Sequence, residues 1–338
     1  MKSIKELDEK LSIPSRDLIE DLSAIDGDIL ILGAGGKMGP SLAMLAKNAV
    51  DQLDSSKEII CVSRFSDKKS QEKLEDHRIK TIAADLLRED ELQALPDVKN
   101  VIYMVGQKFG TSGNESLSWA LNSYLPGRIA EKYKDSSIVV FSTGNVYPLV
   151  HVTSGGATEN YQPDPVGEYA QSCLGRERLF EYFSKKNGTP ILNFRLNYAI
   201  DMRYGVLLEI AKAVQNHKPI DLRTGHANVI WQGDANEIAI RCLKICSSPP
   251  RTLNVTGPET VSIRWLANEF GELLDTEVQF LHAEQPTALL SNASECHKLF
   301  GYPSVSLQQM IEWTAEWIKN EGETINKPTH FQEREGKF

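Results

Sequence analysis

Residues 29–50 constrain this chain more than any other stretch. An apolar run, Ile29-Leu30-Ile31-Leu32, passes directly into Gly33-Ala34-Gly35-Gly36-Lys37-Met38-Gly39, and a helical stretch, Ser41 to Val50, follows. A short apolar run ending in glycines reads as a buried strand, and the glycines admit positive φ and let other groups approach the backbone closely. The helix start turns unsatisfied N–H groups and a partial positive charge toward the turn, which suits a phosphate or pyrophosphate. Strand, glycine turn and helix in this order predict the dinucleotide-binding unit of an α/β protein.

The rest of the chain extends that pattern. Glu58–Ser63, Ile79–Ala83, Val101–Val105, Ser137–Phe141 and Ile191–Phe194 read as further strands, with helical segments between most of them, the longest from about Glu168 to Lys185. Such alternation predicts a Rossmann-like, doubly wound parallel sheet with helices on both faces. Beyond Asn197 the regularity loosens into helical segments at Gly205–Asn216, Asn236–Cys246, Ile263–Leu274 and Leu307–Lys319. We therefore expect four parts: an N-terminal helical extension (1–26), a dinucleotide-binding domain (27–198), a smaller C-terminal substrate lobe (199–325) and a loose polar tail (326–338). Residues 225–258 are a candidate further contribution to the first domain. The extension carries two apolar stripes, Ile4/Leu7/Leu11 and Leu18/Ile19/Leu22.

Charge and cysteine usage narrow the partners. The 37 Lys and Arg residues face 46 Asp and Glu, a formal charge of −9 that argues against a nucleic-acid or anionic-membrane surface. The five cysteines have no paired C-x-x-C spacing, so neither a zinc site nor a disulfide framework is expected, and a reducing cytoplasm fits best. With no apolar run of about 18 residues, no membrane segment is expected.

The end of the second strand selects the cofactor. An acid there bonds the ribose hydroxyls of NAD and repels the 2′-phosphate of NADP. Here the chain reads Cys61-Val62-Ser63-Arg64, and an arginine makes charge-assisted bonds to phosphate. NADP is favoured over NAD, with Ser63 and Arg64 at the ribose and Lys37 and Lys68 as nearby cations.

At this point the chain resembles the extended short-chain dehydrogenase/reductases, the NAD(P)-dependent sugar epimerase/dehydratase group. Gly33, Gly36 and Gly39 match that family's G-x-x-G-x-x-G turn, with Gly35, Lys37 and Met38 in the same loop. Asp85-Leu86 resembles the pair beside the adenine, Val105-Gly106-Gln107 the fourth-strand segment passing the cofactor, and Asn122 the helix asparagine supporting the site. Phe141-Ser142-Thr143-Gly144-Asn145-Val146-Tyr147 is similar to S-S/T-x-x-V-Y. Tyr169-Ala170-Gln171-Ser172-Cys173-Leu174-Gly175-Arg176-Glu177 is similar to Y-x-x-S-K-L-x-x-E. Arg195-Leu196-Asn197-Tyr198, Gln232-Gly233-Asp234 and Leu253-Asn254-Val255-Thr256-Gly257-Pro258 resemble signatures of the substrate lobe. The resemblance spans roughly residues 28 to 318.

It implies a sugar or nucleotide-sugar-like small-molecule substrate and a homodimer. Tyr169 would be the proton donor or acceptor, with Thr143 polarising the same oxygen. Asn145, Arg195, Asn197, His226 and Trp231 are the substrate candidates; Arg195 would hold a phosphate or carboxylate, or pair with an internal acid. Two departures matter. The family's lysine four residues after the tyrosine is Cys173 here, either a nucleophile or a small buried residue. Removing a unit charge ~6 Å away at an effective dielectric of ~20 forfeits about 2.8 kcal/mol, roughly two pKa units. Arg176 and Lys108 are candidate replacement cations; without one, a cofactor-binding sensor or a repurposed non-redox enzyme is the alternative. Gly144-Asn145 also replaces an Asp-Glu pair used in dehydration, which argues against that reaction.

Overall fold

Seven strands, each parallel to its neighbours, form one sheet at the centre of the computed structural model, which describes residues 1–53, 55–108 and 113–337. They are β1 (Ile29–Leu32), β2 (Ile59–Ser63), β3 (Lys80–Ala83), β4 (Asn100–Tyr103), β5 (Ser137–Thr143), β6 (Ile191–Leu196) and β7 (Arg251–Val255). Their spatial order is β7-β6-β5-β4-β1-β2-β3. The order reverses beside β1, and in open α/β sheets such a switch point, at the carboxyl ends of β1 and β4, is where ligands bind.

The pleat divides the apolar residues between two cores. Ile29, Ile31, Ile102, Val139 and Phe194 face the helices Gly39–Val50 and Gln232–Arg241, while Leu30, Leu32, Val101, Val140 and Ile191 face Ile129 and Phe180 on the other side. Fully burying each such side chain contributes about 1.5–3 kcal/mol, which holds the sheet level with its helices. A third core, with Leu207, Phe270, Ile311 and Trp317, builds the lobe carried by the later part of the chain.

Two expectations need correction, the bounds of one helix and the loose tail. Within residues 225–258, the candidate further contribution to the first domain, the segment from Leu253 to Val255 lies in β7 and pairs with β6 from Arg251↔Leu192 to Val255↔Leu196. Its alternating Leu253 and Val255 side chains are buried in the sheet's core. The helix expected at Asn236–Cys246 spans Gln232–Arg241, with a 3-10 turn at Cys242–Ile245. The tail from residue 326 is anchored rather than loose. Phe331 is 2% exposed in the lobe's core, and Thr329 donates to Glu209 from both its N–H and its hydroxyl. Arg334 donates to the Thr287 carbonyl at 2.8 Å. One buried aromatic and several charge-assisted bonds offset the entropy of ordering a polar segment.

The two N-terminal helices, Ile4–Leu11 and Arg16–Ala24, divide their stripes between cores. Leu7 and Leu11 enter the lobe, whereas Leu18 and Leu22 pack under the sheet. Both helices start at serine caps, with Ser3 accepting from Glu6 N–H and Ser15 from Leu18 N–H. The extension thus bridges the lobe and the sheet.

Candidate functional site

The glycine turn leaves β1 as a cradle in which side chains have no room. Gly33 sits at φ +91°, and a Cβ there would stand 2.9 Å from the Met104 carbonyl carbon and the Val105 nitrogen. At Gly39 a Cβ would overlap the Ala34 carbonyl, and at Gly35 it would meet Ser63 Oγ at 2.5 Å. Gly35 and Gly36 are exposed, and the helix Gly39–Val50 begins directly behind them with Met38 at its cap. Backbone N–H groups and a helix N-terminus around an open, Cβ-free surface fit a pyrophosphate.

Around the cradle, Ser63 ends β2 against Gly35 and Arg64 is exposed beside it. Asp85 is half-buried and accepts from Leu87 N–H at 3.1 Å; Leu86 is buried in the sheet's core. Lys37 holds its ammonium 3.2 Å from the centre of the Tyr204 ring. Burial, then the nearby Lys108 and Lys327, push its pKa down to about 7, with Glu209 opposing.

A second centre lies at the ends of β4 and β5. Asn122 sits in a π-helical turn, Ala120–Tyr124, and is fully buried. Its amide accepts from Gln107 N–H at 2.9 Å and donates to the Gln107 carbonyl at 3.0 Å and to Ser172 Oγ at 3.0 Å. One side chain therefore ties the Val105-Gly106-Gln107 segment to the long helix Gly167–Asn187, which carries Tyr169. π-turns of this kind often mark functional positions.

The Tyr169 hydroxyl shares hydrogen bonds with Thr143 and Cys173, and burial, followed by Cys173, raises its pKa while Arg176 opposes. Thr143 Oγ1 also accepts from the Asn145 amide at 3.0 Å. Cys173 is 1% exposed and burial raises its thiol pKa, so it is no thiolate at neutral pH. Lys108 points at this centre, its ammonium 5.9 Å from the Tyr169 ring centre and donating to the Thr329 carbonyl at 3.1 Å. Burial pushes it down to about 8.

Several substrate candidates are committed elsewhere. Arg195 is 5% exposed and grips Glu177 with Nε at 3.0 Å and Nη2 at 2.6 Å, while Nη1 donates to Tyr147 Oη at 2.6 Å. It is an internal ion pair rather than a substrate clamp. Trp231 is 2% exposed and packs edge-on to Trp313 in the lobe core, where it cannot stack on a ligand. Asn197 is buried, its carbonyl accepting from Thr256 Oγ1 at 3.1 Å. His226 keeps a half-buried place in a two-residue strand paired with Val261–Ser262, and its Nδ1 is buried with no hydrogen-bond partner among the described residues. Glu209, Tyr204 and Thr329 were not legible as site residues. They are remote in sequence and lie in segments without a motif.

A glycine cradle at a switch point, with Thr143 at a neighbouring strand end and Tyr169 on the long helix beside it, defines a Rossmann-type dinucleotide-binding protein. The chain belongs to the NAD dependent epimerase/dehydratase family, whose sequence model matches residues 29–200. No curated protein matches the chain. Among solved structures it is similar to UDP-glucuronic acid 4-epimerase from Bacillus cereus in complex with UDP-glucuronic acid and NAD, at 19% identity and TM-score 0.72, over 87% of this chain and 99% of that one. It is also similar to UDP-glucose 4-epimerase from Thermotoga maritima with UDP-glucose, at 15% identity, TM-score 0.70, 87% and 99% coverage. UDP-glucose 4-epimerase from Thermus thermophilus with NAD aligns at 18% identity, TM-score 0.69, 86% and 99% coverage.

Proposed function

We propose that this protein is an NADP-preferring oxidoreductase or epimerase acting on a nucleotide sugar. The observation that carries the reading is the half-buried Tyr169, its hydroxyl bonded to Thr143 at the end of β5, in the same parallel sheet whose β1 runs into the glycine cradle. When bound, the nicotinamide supplies hydride chemistry at the sugar carbon. Tyr169 moves the hydroxyl proton of that carbon, and Thr143 orients the same oxygen by hydrogen bonding. Gly33 to Gly39 and the helix behind them hold the pyrophosphate, and the Asn122 clamp fixes the Gln107 backbone alongside. The substrate class is supported by the nucleotide sugars bound in the similar structures. Arg64, exposed at the end of β2 where no acid stands, supports the preference for a 2′-phosphate.

Calorimetric titration of the cofactor-stripped protein with NADPH and NADH tests the cofactor. NADPH is expected to bind tenfold or more tightly, about 1.4 kcal/mol. Preference for NADH would overturn the role of Arg64, and binding of neither would overturn the reading.

The same titration carries a pH dependence. A lysine held near 7 is largely neutral above that pH, whereas an anionic pyrophosphate favours the ammonium, so binding takes up a proton. Affinity is expected to weaken by about an order of magnitude between pH 7 and 9. Lys37→Gln should bind more weakly at pH 6 and show a flatter profile. An unchanged slope in that variant would remove Lys37 from the phosphate site.

A further inference from the structure

We propose that Arg176 is the fixed cation of this site, supplying from one turn further along the helix the charge that the family resemblance assigns to position 173. The proposal rests on the reading of Tyr169 as the proton-transfer residue. Arg176 is 5% exposed, and among the described residues no carboxylate lies within ion-pair distance of its guanidinium. Its neighbour Glu177 is taken by Arg195. Burying a charge without a counter-charge is costly, and the neutral carbonyl and amide it meets require no full charge.

The geometry shows where that charge is held. Helical side chains lean toward the helix N-terminus, so the head of Arg176 lies over the turn that carries Cys173. Nη1 donates to the Phe141 carbonyl at 2.6 Å and Nη2 to Asn122 Oδ1 at 2.9 Å, while the guanidinium carbon lies 5.7 Å from the Tyr103 ring centre. Phe141 is two residues before Thr143, and Asn122 is the residue that clamps Gln107. A Cβ at Gly106 would stand 2.6 Å from Nη2, so the absent side chain there makes room for the guanidinium. Nε is buried with no hydrogen-bond partner among the described residues. Arg176 thus touches the supports of the site from below, and its charge favours the ionised forms of Tyr169 and Cys173 against the upward push of burial.

The residue is a positioning residue, acting through Tyr169 and through the electrostatic environment of the cofactor segment at Gly106. The ionisable groups facing Tyr169 are Cys173 and Arg176 from its own helix and Lys108 from the loop after β4, with Glu209 acting on Lys108. Lys108, near 8, has already lost its charge at the higher pH where a Tyr169 raised above its ordinary value ionises, so it does not set the acidic limb of a rate profile.

The test compares R176Q, R176K and the double variant C173K/R176Q with the wild type as full-length proteins. Two quantities are read: the ratio of dissociation constants for oxidised and reduced cofactor, and the acidic limb of turnover against pH with nucleotide sugars. A fixed cation penalises the positively charged oxidised nicotinamide. R176Q should therefore tighten the oxidised form relative to the reduced form about tenfold and move the acidic limb up by about one pH unit. R176K and C173K/R176Q should both stay near wild type. A wild-type ratio and limb in R176Q would overturn the proposal, as would equal weakening of both cofactor forms that C173K fails to correct. If R176Q does not fold, C173K/R176Q decides: a wild-type ratio supports relocation of the charge and an altered one contradicts it. A wild type that turns over no nucleotide sugar would fail the functional reading alone, because the affinity ratio still reports on Arg176.

Discussion

Tyr169→Phe is expected to lower turnover about 10²–10⁴-fold, the range typical of losing one positioned proton-transfer group. The change removes a single oxygen. The ring lies on the helix Gly167–Asn187 and keeps its apolar contacts with the cluster around Val146, Tyr147 and Cys173. Cofactor affinity should therefore stay within about twofold, since the glycine cradle is untouched and 1.4 kcal/mol would be needed for a tenfold change. Steady-state rates and cofactor titration on the same preparation separate the two effects. Turnover within threefold of wild type would mean that another group carries the proton. Equal loss of rate and cofactor affinity would mean that Tyr169 packs rather than reacts.

Glu177→Ala is expected to cost about 3–5 kcal/mol of stability, because it strands the Arg195 charge in the interior. Glu177 is 4% exposed and accepts from Arg195 Nε and Nη2, and also from Ser142 Oγ at 2.5 Å. The pair joins the helix Gly167–Asn187 to β6, and Ser142 adds β5, so one carboxylate fastens three elements directly behind Thr143. Replacing both members, as in E177M/R195M, should recover much of the loss, since no unpaired charge remains. Urea unfolding midpoints of the three proteins measure this. A loss under 1 kcal/mol for Glu177→Ala would contradict the buried-pair account.

The parts legible in the sequence are those governed by neighbours along the chain. The apolar run at Ile29, the glycines at 33 and 39 and the helix carrying Tyr169 each depend on local backbone physics, and each lies where the pattern predicts. The helices Ile263–Leu274 and Leu307–Lys319 match the periodicity to the residue. What the sequence conceals depends on partners far away. Arg195 looks the same whether it clamps a phosphate or grips Glu177, and only the meeting of β6 with the long helix decides. Trp231, more often a core residue than a stacking platform in such a stretch, still stands among the substrate candidates, and only the packing of Trp313 against it decides. The tail is polar enough to read as loose, yet a single buried aromatic, Phe331, fixes its path. Thr329 thereby reaches Glu209 and Lys108 beside the site.

On the proposed reading, the Tyr169 centre performs nicotinamide-dependent chemistry on a nucleotide sugar. The most direct test is to incubate the cofactor-loaded protein with UDP-glucose and UDP-glucuronic acid. The sugar signals are followed by proton NMR and the bound cofactor by absorbance. At least one sugar is expected to convert to its epimer or oxidised product, and the conversion to be lost in Tyr169→Phe. Unchanged sugars and an unchanged cofactor, in protein shown to be cofactor-loaded, would contradict that reading.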